Sequence, residues 1–163
     1  MPRILIVEDS PEMAKILERY LRPVAREIII ADSMEHAFSV INAADPFDLV
    51  TLDLNLPDSR TEETRERIRE IKRTNPDALV VVVTGVVRPE EQAKILEAGA
   101  DGYVYKVDIM GQPTTFWQTL SDVFRSAVRT PTRYTKNVAI MERLNQAIAS
   151  GFDANETPKT SLA

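Results

Sequence analysis

No cysteine occurs in this 163-residue chain, which removes disulfides, thiolate metal sites and cysteine nucleophiles. A cysteine-free chain suits a reducing compartment. Histidine is almost as scarce. His36 is the only one and falls in a helical pattern as a surface residue, so histidine-based catalysis and histidine-rich metal sites are excluded. Basic charge is not in excess: 20 Lys and Arg against 25 Asp and Glu give a net charge of −5, so no electrostatic case exists for nucleic-acid binding. No apolar run approaches membrane-spanning length. Met1-Pro2-Arg3 runs straight into an apolar segment and lacks the layout of a signal peptide. A cytoplasmic protein without membrane insertion is expected. The turn after the first apolar run, Glu8-Asp9-Ser10-Pro11, has no glycine, and no Walker-type phosphate loop appears.

What the chain does have is a fivefold alternation of strand and helix signals. Ile4-Leu5-Ile6-Val7 and Leu49-Val50-Thr51-Leu52 are short and rich in β-branched residues, as in strands buried on both faces. Ser10-Pro11-Glu12 is a helix start, and Met13, Ile16, Leu17, Tyr20 and Leu21 form its stripe up to Pro23. Ile28-Ile29-Ile30 is the second strand. Asp32 and Glu35 have capping-box spacing for a second helix, striped by Met34, Ala37, Phe38 and Ile41. A charged third helix near Glu62–Thr74 is anchored by Ile68 and Ile71. Leu79–Val83 is a fourth strand. Pro89-Glu90-Glu91 starts a fourth helix with Ala93, Leu96 and Ala100 on one face, closed by Gly99. Tyr103-Val104-Tyr105 is a fifth strand, and a loop with Gly111 and Pro113 leads to a fifth helix marked by Phe116, Trp117, Leu120, Phe124, Ala127 and Val128.

Five such units predict an α/β fold: a doubly wound, flavodoxin-like, five-stranded parallel sheet in the order 2-1-3-4-5, with helices on both faces. Ligands in such sheets bind beyond the carboxyl ends of the strands. Glu8, Asp9, Asp53, Thr84 and Lys106 all fall there. Singly, each reads as a polar strand end or a helix cap. Jointly, three carboxylates repel one another and favour a hard divalent cation between them, beside a lysine and a hydroxyl.

The chain resembles the response-regulator receiver domains of two-component signalling. The matching stretches are Ile4-Leu5-Ile6-Val7-Glu8-Asp9, Asp53-Leu54-Asn55-Leu56-Pro57-Asp58, Val83-Thr84-Gly85, Ala98-Gly99-Ala100-Asp101-Gly102-Tyr103 and Lys106, within residues 3–128. The resemblance implies a phosphorylation-controlled switch, not a metabolic enzyme. Asp53 would be the phosphoacceptor, charged by a histidine kinase, a phosphotransfer protein or a small phosphodonor. Glu8, Asp9, Asp53 and the backbone carbonyl of Asn55 would hold Mg²⁺. Lys106 and Thr84 would contact the phosphoryl group. Thr84 and Tyr103 would carry the switch to the face made by helix four, strand five and helix five, where a downstream protein binds. Asn55 and Val86 would flank the path of the hydrolytic water, with the apolar Val86 slowing self-dephosphorylation.

Three features depart from that family. Val107 follows Lys106 where receivers usually have proline, and the segment 108–114 reads as a longer loop. Arg60-Thr61-Glu62-Glu63-Thr64 replaces the usual glycine and leucines, which suggests a shorter, more solvated third helix or a reshaped lip of the cleft. Residues 1–129 are expected to form the receiver. Residues 130–163 are an extension too short for an output domain with its own core. Within it, a helix over 134–149, striped by Val138, Met141, Leu144 and Ile148, is expected to dock on the receiver or pair two copies in a homodimer. The alternative is a frayed extension of the fifth helix, and a disordered tail is expected to follow. Two alternatives remain from sequence: a degenerate receiver acting as a constitutive interaction module, and a phosphohydrolase of the haloacid-dehalogenase type. The latter places its nucleophile after the first strand with a second Asp two residues on, a spacing that neither Glu8-Asp9 nor Asp53-Leu54-Asn55 has.

Overall fold

Residues 2–43, 45–56, 61–85, 88–111 and 113–126, with six helical positions between 141 and 149, are described by a computed structural model of the chain. Five strands, β1 (Arg3–Val7), β2 (Glu27–Ala31), β3 (Leu49–Asp53), β4 (Leu79–Thr84) and β5 (Gly102–Tyr105), alternate with helices. The helices are α1 (Pro11–Leu21), α2 (Met34–Ala43), α3 (Thr61–Thr74), α4 (Pro89–Glu97), α5 (Lys106–Gly111) and α6 (Pro113–Ser126). The strands make one sheet in the order β2-β1-β3-β4-β5, with every pairing parallel, as the alternation predicts.

Every residue of β1, β3 and β4 is buried. Their side chains alternate between two cores, because neighbouring residues on a strand face opposite ways. Ile4, Ile6, Leu49, Val81, Val83 and Val104 meet Met13, Leu17 and Tyr20 of α1 and Phe116, Trp117 and Leu120 of α6. Leu5, Val7, Val50, Leu52, Val80 and Val82 meet Met34, Ala37 and Ile41 of α2, Ile68 and Ile71 of α3, and Ile95 of α4. The two layers cover both faces of the sheet. The Trp117 indole N–H donates to the Tyr20 carbonyl at 2.8 Å, so the buried ring leaves no orphan donor.

Local chemistry explains several boundaries. The Ser10 hydroxyl accepts the Met13 N–H and Pro11 opens α1, as the sequence predicts. At α2 the cap is Ser33, whose hydroxyl accepts the His36 N–H at 3.1 Å. Asp32, the expected box residue, instead faces the His36 ring at 3.2 Å, because the helix begins one residue later than the Asp32–Glu35 spacing implies. The expected apolar face of α4 is also corrected. Ile95, Ala98 and Ala100 are buried, whereas Ala93 and Leu96 are exposed. Ile95 is the α4 side chain that packs into the core beneath the sheet. α3 spans 14 residues, so it is not shortened by its charged start. Residues 57–60, the rest of the expected lip, lie outside the described residues. The expected loop after β5 is a helix: α5 starts at Lys106 itself and seats Ile109 in the core, with Val107 and Met110 outward.

Two glycines are required by geometry. Gly99 ends α4 with φ at 113°, the left-handed conformation that closes many helices. Gly102 starts β5 where α6 crosses, and a Cβ there would lie 2.5 Å from Val123 Cγ2. Gly102→Ala is therefore expected to destabilise the fold by about 1–3 kcal/mol, the usual cost of overpacking. Adding Val123→Ala should recover much of that loss in a urea-unfolding double-mutant cycle. Equal unfolding midpoints for Gly102→Ala and the unmodified chain would refute the contact.

Candidate functional site

The sheet register brings the strand ends to one edge. Val7 pairs with Leu52, Asp53 with Val83, and Thr84 with Tyr105. Glu8 and Asp9 follow β1, Asp53 closes β3, and Lys106 follows β5 as the first residue of α5. One carboxylate oxygen from each of Glu8, Asp9 and Asp53 lies within 4.8 Å of the others. Lys106 Nζ reaches Asp53 Oδ2 at 3.2 Å and Glu8 Oε1 at 3.4 Å. The Asn55 N–H donates to Asp53 Oδ1 at 3.0 Å, and the Ser10 N–H donates to Glu8 Oε1 at 3.2 Å. Glu8 and Asp53 are buried, while Asp9 is exposed and opens the cluster to solvent.

Electrostatics follow from this crowding. Burial, followed by the neighbouring Asp53 charge, pushes the Glu8 carboxyl up to about 7, although Lys106 and the Ser10 N–H pull it back. Burial opposes the charged form of Lys106 as well. The Asp53 and Glu8 carboxylates outweigh it and raise the ammonium above its ordinary value. Lys106 is thus held as a fixed positive charge. Glu8 Oε2 is buried with no hydrogen-bond partner among the described residues. An orphaned carboxylate oxygen is costly. Here it sits in a cluster of three carboxylates, the donor set a hard divalent cation takes. The residues present fit such an ion.

The remaining predicted positions are placed as follows. Thr84 closes β4 and is buried, beside Tyr105 in register. Tyr103 is half-buried on the α4 side of the sheet, and its hydroxyl donates to Gln92 Oε1 at 3.0 Å. Val86 lies outside the described residues. Sequence reading passed over Gln92, which also binds the Tyr105 hydroxyl. A signal was available: Tyr103 and Tyr105 share a face of β5, and α4 precedes that strand. No helix among the described residues is long and apolar enough to cross a membrane.

Known proteins resemble the chain in sequence and fold. The chain is 30% identical over 106 residues to the chemotaxis protein CheY of Halobacterium salinarum, covering 64% of this chain and 83% of that one. It is 28% identical over 107 residues to the sensor histidine kinase GacS of Pseudomonas protegens, covering 64% of this chain but 12% of the kinase. The chain thus spans only a small part of that longer relative. A solved CheY-like receiver domain from Methanospirillum hungatei superposes with a TM-score of 0.65 at 25% identity, covering 77% of this chain and 96% of its own. The family profile described as "Response regulator receiver domain" matches residues 4–109, the stretch that holds all five strands bar one residue and all four charged groups of the cluster. With the fold and the family profile in agreement, the chain belongs to the response regulator receiver domain family.

Proposed function

We propose that this receiver is a phosphorylation-controlled switch whose phosphoacceptor is Asp53. One observation carries the proposal: Glu8, Asp9 and Asp53 converge at the strand ends with Lys106 on Asp53. In the proposed step an Asp53 carboxylate oxygen attacks phosphorus, forming an acyl phosphate as the donor's leaving group departs with its electron pair. The Asn55 N–H fixes Oδ1, and Lys106 sets a positive charge where phosphoryl oxygens would arrive. Glu8, Asp9, Asp53 and the Asn55 carbonyl are the proposed holders of Mg²⁺. That ion supplies charge neutralisation for the crowded carboxylates and the phosphoryl oxygens. Thr84 and Tyr103 are the proposed switch residues, and the α4–β5–α6 side is the proposed output face.

Receiver domains interact with histidine kinases and downstream targets. For this chain, a histidine kinase or phosphotransfer protein in the cytoplasm is the proposed donor, and a protein is the proposed target. The test is incubation with acetyl phosphate and Mg²⁺ followed by intact-mass measurement. One added phosphate supports the switch. No uptake, with Mg²⁺ bound, would favour the constitutive module instead.

The extension forms part of the proposal. Met141 is helical and half-buried against the core cluster of α1 and α6. A helix over 134–149, the span expected from the sequence, would be marginal alone in water, so we infer that the extension docks on the receiver through Met141. Deleting residues 131–163 is expected to lower the melting temperature by several degrees while the chain stays monomeric. A lost dimer would point to pairing between copies, and an unchanged melting temperature would refute docking.

A further inference from the structure

Beyond the phosphorylation site lies a second polar cluster, on the side of the sheet that faces α4. The side-chain amide of Gln92 joins two hydroxyls of β5. Its Oε1 accepts from the Tyr103 hydroxyl at 3.0 Å, and its Nε2 donates to the Tyr105 hydroxyl. The two rings meet edge to face, with centroids 5.7 Å apart and planes at 71°. All three residues are half-buried, so their hydrogen bonds are partly shielded from competing water. Tyr105 also stands in register with Thr84, which closes the neighbouring strand at the edge where Asp53 lies.

We propose that the Tyr103 arrangement held by Gln92 is the resting one, and that Gln92 is a latch, a positioning residue that sets how readily the receiver switches. The inference rests on the proposed switch function. Tyr103 cannot change rotamer without breaking its bond to Gln92. The amide cannot follow it, because its other end is held by Tyr105. The latch therefore stabilises the resting form alone. By linkage, whatever stabilises the resting form weakens apparent binding of any ligand that prefers the switched form. Tyr105 places the latch next to the site, since its neighbour in register is Thr84.

The test uses the full chain and the beryllium fluoride anion, which occupies the place of a phosphoryl group on a carboxylate. Affinity is measured by calorimetry with Mg²⁺ present, and for Mg²⁺ alone. Gln92→Ala and Tyr105→Phe are expected to bind the fluoride complex about three- to tenfold more tightly, the worth of one or two partly exposed hydrogen bonds. Their affinity for Mg²⁺ alone should stay within about twofold, because the latch does not touch the carboxylates. Gln92→Glu should behave as the unmodified chain, since a carboxylate accepts from both hydroxyls. Tyr105→Phe keeps the ring and serves if Gln92→Ala does not fold. Unchanged affinity in both latch-breaking variants would overturn the latch, as would an equal shift for Mg²⁺ alone or a Gln92→Glu effect as large as Gln92→Ala. An unmodified chain that binds no fluoride complex would overturn the proposed function and the latch with it.

Discussion

Asp53→Asn is expected to gain no phosphate from acetyl phosphate under conditions where the unmodified chain gains one. The substitution preserves shape in a site where Asp53 is 1% exposed, so packing is little disturbed. It removes the chemistry, because an amide is neutral and its nitrogen lone pair is delocalised into the carbonyl. It also removes one of three charges that a cation would balance. EDTA should abolish labelling of the unmodified chain because it takes away the cation that would balance those charges. Lys106→Ala separates the two effects. It leaves all three carboxylates in place, so Mg²⁺ should still bind. It deletes the charge 3.2 Å from Asp53 Oδ2, and labelling should slow on the order of a hundredfold, the usual loss for one preorganised group at a reacting oxygen. Intact mass over time reads both variants. Equal labelling of Asp53→Asn and the unmodified chain would end the assignment.

The positions of the charged residues were legible in the sequence for a simple reason. Glu8, Asp9, Asp53 and Lys106 each end an unbroken run of strand residues. In a parallel sheet with right-handed crossovers every such end lies on one edge. Strand order then decides which ends meet: β1 and β3 are neighbours and only β4 stands between β3 and β5, so Glu8, Asp9, Asp53 and Lys106 converge. Spacing did not reveal where helical phase would settle. Leu96 and Ile95 are both good anchors, and only the shape of the sheet beneath selects Ile95. The segment after Lys106 reads as a loop in the sequence because Gly111 and Pro113 are turn signals. A six-residue helix fits before them, since Ile109 can be buried one turn from Lys106. The Gln92 cluster joins residues 11 and 13 positions apart: the shared face of Tyr103 and Tyr105 is visible in the sequence, but which residue of α4 meets them is set by how that helix packs.

Affinity for Mg²⁺ is expected to rise about tenfold per pH unit up to pH 7 and then level off. Glu8 sets this profile. Its carboxyl stands at about 7 in the fold, chiefly because it is buried and next because Asp53 is close. A cation binds the carboxylate and not the acid, so below pH 7 each ion must displace a proton. The stability of the metal-free chain should move the other way. Between 4.5, the ordinary value for Glu8, and about 7, the folded chain holds a proton that the unfolded chain has released. Stability from this group is therefore fully present below pH 4.5 and is lost as pH rises toward 7, by on the order of a few kcal/mol. Added Mg²⁺ should offset that loss, so the rise in melting temperature on adding the ion should be larger at pH 8 than at pH 5.5. Glu8→Gln should flatten the steep part of the affinity profile, because no proton remains to be displaced at that position. Lys106→Ala should move the steep part to higher pH, since Lys106 is what pulls Glu8 down. Calorimetry in two buffers of different ionisation enthalpy reads the proton count directly: about one proton released per ion at pH 6 and few at pH 8. The same affinity at pH 5.5 and pH 7.5 would show that Glu8 is not the group that takes the cation. The buried, unpartnered Oε2 would then need another occupant.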